Sequence, residues 1–195
     1  MGERIVAFAG SLRQGSYNRA LVRTARELAP EGMEIEMIEI GGLPFYNADL
    51  EAKGDPPAVA GYKAALQAAD GVLIATPEYN DSIPGVLGNA MDWGSRLPGR
   101  SPFIGKPVAL MGASPSQIGT ARAQHHLRQI LSHIHARALP PPELLVSKAH
   151  ERFGKDLHLN DETTRKVLAD LLLRFRHWIE RERRAMEMHR ENAVV

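Results

Sequence analysis

Apolar runs of five to eight residues recur along the chain and predict β-strands. Residues 5–9, 71–76 and 107–114 are apolar almost throughout, as strands are when both faces of their sheet are covered. Residues 33–40 (MEIEMIEI) alternate instead, which indicates one wetter face and a place near a sheet edge. A weaker run, 143–147, follows three consecutive prolines. We therefore expect five strands.

Between these strands lie segments in which apolar residues recur at the spacing of an α-helix. The predicted helices cover residues 18–28, 58–69, 86–93, 121–135 and 162–188. Strands that alternate with helices form a parallel sheet joined by right-handed crossovers. The pattern predicts an α/β fold, a doubly wound five-stranded parallel sheet with helices on both faces. Two arrangements satisfy it, the dinucleotide-binding one and the flavodoxin-like one.

A single domain over residues 1–183 accounts for this pattern, because no linker or repeat interrupts it. Residues 184–195 have mixed charge and little apolar content, so we expect a frayed carboxy-terminal tail.

Composition narrows the class of protein. The 195 residues include no cysteine, which excludes disulfides, cysteine-bound metals and thiol nucleophiles. Lys and Arg number 24 against 23 Asp and Glu, and this balance argues against a nucleic-acid-binding protein. No apolar run approaches the ~20 residues of a membrane span, and the start lacks the pattern of a signal peptide. We expect a cytoplasmic protein without membrane insertion.

Residues 10–19 (GSLRQGSYNR) join the first strand to the first helix and predict an anion site. The helix presents free N–H groups there, the hydroxyls add donors, and Arg13 adds charge. Ser16 stands where a Walker A loop has lysine, and Leu12 replaces the second glycine of the dinucleotide fingerprint. A terminal phosphomonoester suits such a loop. The alternative is a polar turn with Ser16 or Asn18 as helix cap.

Residues 76–85 (TPEYNDSIPG) follow the third strand and suit a planar redox cofactor. Two prolines stiffen the loop, Tyr79 offers an aromatic face, and fixed main-chain amides can address the heteroatoms of a ring. The alternative is a rigid turn in which Tyr79 only packs.

Three motifs together resemble the NADPH-dependent FMN reductase family, which includes flavodoxin-like quinone, azo-dye and chromate reductases. They are GSLRxxSxNR at 10–19, PEYNxSxPG at 77–85 and NAxDW at 89–93. The resemblance implies the flavodoxin-like arrangement. It also implies FMN as cofactor, NADPH or NADH as reductant, and self-association to a dimer or tetramer.

The resemblance also assigns cofactor-binding residues. Those implied for the FMN phosphate are Ser11, Arg13, Ser16 and Asn18. Those implied for the isoalloxazine ring, mainly through main-chain groups, are Pro77, Glu78, Tyr79 and Asn80, with Ser82 nearby and Ser114 on the other side of the ring.

The expected activity is hydride transfer from reduced nicotinamide through FMN to small acceptors such as quinones, azo compounds, chromate or free flavin. The cofactor carries this chemistry, so no catalytic side chain is nominated. No metal site is expected, because His125, His126, His133 and His135 contain no pair spaced i, i+4. One alternative is a non-enzymatic FMN-binding electron carrier of the same fold. Another is a phosphoester-binding protein without redox function.

Overall fold

Six parallel strands form one sheet in this computed structural model, which describes residues 2–96 and 99–192. The order β2-β1-β3-β4-β5 is that of the flavodoxin-like arrangement, and β6 also pairs with β4. The strands are β1 (Glu3–Ala9), β2 (Met33–Met37), β3 (Gly71–Ala75), β4 (Pro107–Ala113), β5 (Arg137–Ala138) and β6 (Leu144–Val146).

The last position of the sheet is filled by two short strands in succession. β5 pairs with the first two residues of β4, and β6 pairs with its last three. Between them lie prolines 140–142, which have no N–H to donate to a ladder. The predicted five-position sheet is confirmed. Of these two short strands, the sequence predicted only β6, because β5 is two residues long. The predicted second strand extended three residues beyond the observed end of β2.

The helices cover both faces of the sheet. Residues of α1 and α7 pack on one face, and residues of α3, α4 and α5 on the other. The five predicted helices are found with shifted ends, α5 ending at His133, together with two short helices that were not predicted. The helices are α1 (Tyr17–Glu27), α2 (Ala48–Glu51), α3 (Pro57–Ala68), α4 (Gly85–Ser95), α5 (Ala121–His133), α6 (Ala149–Arg152) and α7 (Glu162–Asn192).

The carboxy-terminal helix α7 continues to Asn192 and so includes most of the segment that was predicted to fray. Fraying of residues 184–195 stays a prediction. Within the described ranges, none of the helices has an apolar stretch long enough to cross a membrane.

Successive side chains of the strands point to opposite faces, so each central strand contributes to two cores. In β1, Ile5 and Ala7 face α1 and α7, whereas Val6 and Phe8 face the opposite helix layer, and all four are fully buried. Burial on both faces explains the unbroken apolar runs in the sequence. Because helices cover both faces of the sheet, the ends of the strands and the loops there remain available for ligand binding.

The order of the strands brings two loops together. The chain leaves β1 toward β2 on one side and later returns to β3 on the other, so the crossovers diverge between β1 and β3. Ligands of doubly wound folds bind at this point, beyond the carboxyl ends of the strands. Gly10 N donates to Ala75 O (2.8 Å) and Thr76 N to Met111 O (3.0 Å). These bonds fix the loops after β1, β3 and β4 side by side.

Candidate functional site

The loop after β1 ends in a capped helix with unused donors. Ser16 is the N-cap of α1 and accepts a hydrogen bond from Arg19 N at 3.2 Å. Ser11 and Ser16 are both buried. In the described chain the N–H groups of Tyr17 and Asn18 have no hydrogen-bond acceptor, and the first turn of α1 contains no acidic residue. This helix end therefore favours an anion.

Arg13 supplies the cation of this loop. Its guanidinium lies 5.7 Å from the centroid of the Tyr17 ring, and no carboxylate of the described residues is within ion-pair distance of it. Arg19, by contrast, forms a bidentate pair with Glu39, with distances of 2.5 and 2.6 Å. Of these two arginines, Arg13 is the one free to meet a ligand.

The side chain of Asn18 has a different partner from the one the sequence analysis implied. It is buried, and its amide forms two hydrogen bonds with the main chain of Ala113, one as donor and one as acceptor, both 2.9 Å long. The pair ties the start of α1 to the end of β4. These contacts give Asn18 a positioning role, and a direct phosphate contact stays a prediction.

The loop after β3 contains a tight two-residue turn. Tyr79 and Ser82 exchange two main-chain hydrogen bonds of 3.0 Å, with Asn80 and Asp81 at the tip. Both tip residues are left-handed, with φ of 51° and 61°, as a type I′ turn requires. Asn and Asp tolerate this conformation better than most side chains. These local hydrogen bonds fix the turn, stiffening by the flanking prolines stays a prediction, and Tyr79 is half exposed.

Glu78 turns its carboxylate away from the loop and caps another helix. Oε2 accepts hydrogen bonds from Arg122 N (2.9 Å) and Ala123 N (3.1 Å) at the start of α5. The N-cap residue of α5 itself, Thr120, makes no side-chain bond of this kind. With its side chain engaged, Glu78 offers a ligand only its main chain. In the described chain, the N–H groups of Glu78 and Asn80 have no acceptor.

The loop after β4 is organised by small residues. Ser114 is buried, and its Oγ accepts from Ser116 N and bonds to Ser116 Oγ, both at 3.1 Å. Gly112 is required for close approach, since a Cβ there would lie 2.0 Å from Thr120 Oγ1 and 2.4 Å from Thr76 O. The hydroxyl of Ser114 thus shapes the loop that was expected to close the site.

The third motif fixes a further loop at this edge. Asn89 accepts from Tyr46 N (2.8 Å) and donates to Pro44 O (2.9 Å), and Trp93 Nε1 also donates to Pro44 O (2.8 Å). Trp93 is fully buried, so it acts in packing, while Phe45 on the fixed loop is 84% exposed. Sequence reasoning did not identify this loop. A hydrogen bond from Tyr46 Oη to Glu51 contributes most to raising the pKa of Tyr46.

The α5 histidines lie on the exposed face of the helix and beyond its end, as expected from their spacing. His125, for example, is exposed on α5. Among the described residues, no cluster of His, Cys, Asp or Glu could hold a metal ion. His126 is different, because its Nδ1 is 2.6 Å from Ser82 Oγ in the turn after β3. The sequence carried no signal for this contact, which joins residues 44 positions apart.

Comparison of the sequence with known proteins identifies the family of this chain. The sequence model of the NADPH-dependent FMN reductase family matches residues 3–151. The chain belongs to this family. The reductase is 46% identical to an NAD(P)H-dependent FMN reductase of Pseudomonas aeruginosa over 180 residues, 92% of this chain and 97% of that relative. It is 40% identical to a 2-hydroxy-1,4-benzoquinone reductase of a Burkholderia species, over 94% of this chain and all of the relative.

A solved structure supports the fold independently of these sequences. The reductase is similar to a flavoenzyme NAD(P)H:(acceptor) oxidoreductase from Paracoccus denitrificans, with a TM-score of 0.85 and 37% identity. The match covers 92% of this chain and 98% of that one. The reductase is an FMN-dependent oxidoreductase that uses NAD(P)H, and the electron-carrier alternative is not favoured.

The residues present fit FMN. The phosphate monoester of FMN is a compact anion with several acceptor oxygens, and the loop after β1 offers buried hydroxyls together with N–H groups and a guanidinium that have no partner within residues 2–96 and 99–192. The neighbouring turn adds free main-chain N–H groups and a half-exposed aromatic ring. When bound, the flavin supplies the hydride-transfer chemistry, and the reductase positions it.

Proposed function

We propose that this reductase passes electrons from NAD(P)H to quinone-type acceptors. The main observation in support is the pairing of two loops across β1 and β3, one an anion cradle and the other a rigid turn with Tyr79 half exposed. A planar aromatic acceptor can lie against such a turn. The names of the relatives, one of them a benzoquinone reductase, favour the same class of acceptor.

We assign the cofactor contacts from the family motifs, and the N–H groups of Tyr17, Asn18, Glu78 and Asn80, which have no acceptor among the described residues, support this assignment. The phosphate contacts are the Ser11 and Ser16 hydroxyls, Arg13 and the first N–H groups of α1, with Asn18 positioning that helix. The ring contacts are the main chain of Pro77, Glu78, Tyr79 and Asn80, with Ser82 beside them and the loop of Ser114 on the other side.

Removal of the free guanidinium tests the phosphate contacts. We expect Arg13→Ala to weaken FMN binding by about 1.5–3 kcal/mol, the range for hydrogen bonds to charged groups, or about 10- to 150-fold. Arg23→Ala is the control, because Arg23 is an exposed residue of the same helix outside the loop. Fluorescence titration of the apoprotein with FMN gives both affinities. Equal affinities for the two variants would refute the assignment.

Anaerobic spectroscopy of the FMN-loaded protein tests the function itself. NADPH or NADH should bleach the flavin absorbance, and 1,4-benzoquinone should restore it in a second mixing step. Flavin that bleaches but is not reoxidised by the quinone would contradict the proposed acceptor. Flavin that remains oxidised with both nicotinamides would contradict turnover altogether.

Self-association to a dimer or tetramer and a cytoplasmic location complete the proposal. Leu12, Phe45 and Ile118, all in loops that follow strands, are between 45% and 84% exposed, which favours a protein partner such as a second copy. Sedimentation velocity at micromolar concentration tests association, and a monomer there would refute it. Fractionation of expressing cells tests the location.

A further inference from the structure

The turn after β3 receives a side chain from α5 that lies outside the three family motifs. Tyr79 and Ser82 are directly opposite each other in the two-residue hairpin, so both side chains lie on the same face of it. Tyr79 presents a half-exposed ring on this face, and Ser82 presents its hydroxyl. A group bonded to Ser82 Oγ therefore meets the hairpin on the face that carries the ring.

His126 of α5 is that group. Its Nδ1 is 2.6 Å from Ser82 Oγ, and its side chain is exposed. When the neutral imidazole carries its hydrogen on Nε2, the serine hydroxyl donates to Nδ1, and when the imidazole is charged, the hydroxyl accepts from Nδ1. In both states Nε2 carries an N–H. Ser82 thus orients a histidine whose second nitrogen is a donor.

The same helix face holds the turn at a second point. Arg122 lies one turn before His126, and its guanidinium is 2.6 Å from Asp81 and 3.8 Å from Glu78. The titratable groups near His126 on the turn and on α5, within the described chain, are these three charged groups, the Tyr79 phenol, His125 and Arg128. With two contacts from α5, the turn and His126 are held as one unit.

We propose that His126, oriented by Ser82, hydrogen-bonds the oxygen of the quinone-type acceptor through Nε2 and delivers the proton that completes its reduction. This inference rests on the proposed function. Reduction of a quinone to a hydroquinone takes up one hydride and one proton. The hydride comes from NAD(P)H through the established flavin chemistry. The donor is the charged imidazolium: its Nε2–H bond breaks as the O–H bond forms, the neutral imidazole keeps the electron pair, and a proton from the solvent restores the cation.

The test compares His126→Asn with the wild type and with His125→Asn. Asparagine keeps a polar atom near the position of Nδ1 for Ser82 but has no equivalent of Nε2. His125→Asn is the matched control, because His125 is exposed and, among the described residues, no hydrogen bond or ion pair joins it to the turn. The proteins are loaded with FMN, reduced with NADPH, and mixed in separate runs with 1,4-benzoquinone and with ferricyanide, which takes up electrons without a proton.

We expect His126→Asn to slow reoxidation by benzoquinone about 100-fold, the low end for general acid catalysis, and to leave reoxidation by ferricyanide unchanged. The solvent deuterium isotope effect on the benzoquinone reaction should also change. Hydroquinone should bind the oxidised variant about 3- to 10-fold more weakly by calorimetry, a readout without turnover. Reduction by NADPH and the affinity for FMN should match those of His125→Asn.

Two results would overturn this role. Equal slowing with both oxidants would make His126 a structural residue of the loop, and unchanged benzoquinone rates would remove it from the reaction. Failure of the proposed function is recognised separately, because the wild-type protein itself would then not react with benzoquinone. Ser82→Ala serves as the second variant, and its ratio of the benzoquinone rate to the ferricyanide rate should fall several-fold relative to the wild type.

Discussion

Replacement of Asn18 by alanine separates two possible roles of this residue, positioning and ligand binding. The substitution removes two hydrogen bonds of 2.9 Å to Ala113 and leaves a buried N–H and a buried C=O without partners, since Ala113 is 2% exposed. Each unsatisfied group costs about 1–3 kcal/mol. We therefore expect the apoprotein to lose about 3 kcal/mol of its free energy of unfolding.

Urea unfolding of the apoprotein, followed by circular dichroism, measures this loss. With a slope of about 2–3 kcal/mol per molar, the midpoint should fall by about 1–1.5 M. Gln14→Ala is the control, since Gln14 is exposed in the same loop, and its midpoint should not move. A loss below about 0.5 kcal/mol for Asn18→Ala, together with much weaker FMN binding, would refute the positioning role and favour a direct phosphate contact.

Two further substitutions test the packing around the site and the start of α7. In a thermal unfolding assay, Gly112→Ala should destabilise the apoprotein by about 1–3 kcal/mol, because the added Cβ would lie 2.4 Å from Thr76 O. Gly15→Ala is the control and should be neutral, because a Cβ there would have no atom within 4 Å. Asp161 accepts hydrogen bonds from Thr164 Oγ1 and Thr164 N, which hold the pKa of its carboxyl below the usual value. Asp161→Ala should therefore lower the free energy of unfolding by about 1 kcal/mol at pH 7. Because the folded-state pKa is lowered, this difference should be complete above about pH 4 and shrink as the pH falls further, and a difference that grows in acid would contradict the assignment.

The strands and long helices were predictable because burial on two faces leaves a clear pattern in the sequence. Runs such as 71–76 are apolar at every position that faces a helix layer. β5 was missed because two residues make no pattern, and because its ladder with β4 depends on partners about 30 positions away. Length and local periodicity thus decided which elements the sequence revealed.

The candidate site was predictable in position and less so in contacts. The motifs placed Asn18 and Glu78 just beyond the ends of β1 and β3, where the structure has them, since their position follows from the order of strands. Their side-chain partners, Ala113 and the start of α5, are 95 and 44 residues distant in the chain. Short polar side chains bond to whichever main-chain group the fold brings near, and one sequence does not specify that choice.

The interrupted last strand bears on the solubility of the sheet. A long uncharged edge strand is a template on which a second chain can add by main-chain pairing. Here one edge is divided into pieces of two and three residues by prolines 140–142, and the other, β2, carries the exposed side chains Glu34 and Glu36. Among the residues described, neither edge offers a long, uncharged ladder. We therefore expect this sheet to resist edge-to-edge pairing with other copies of the chain.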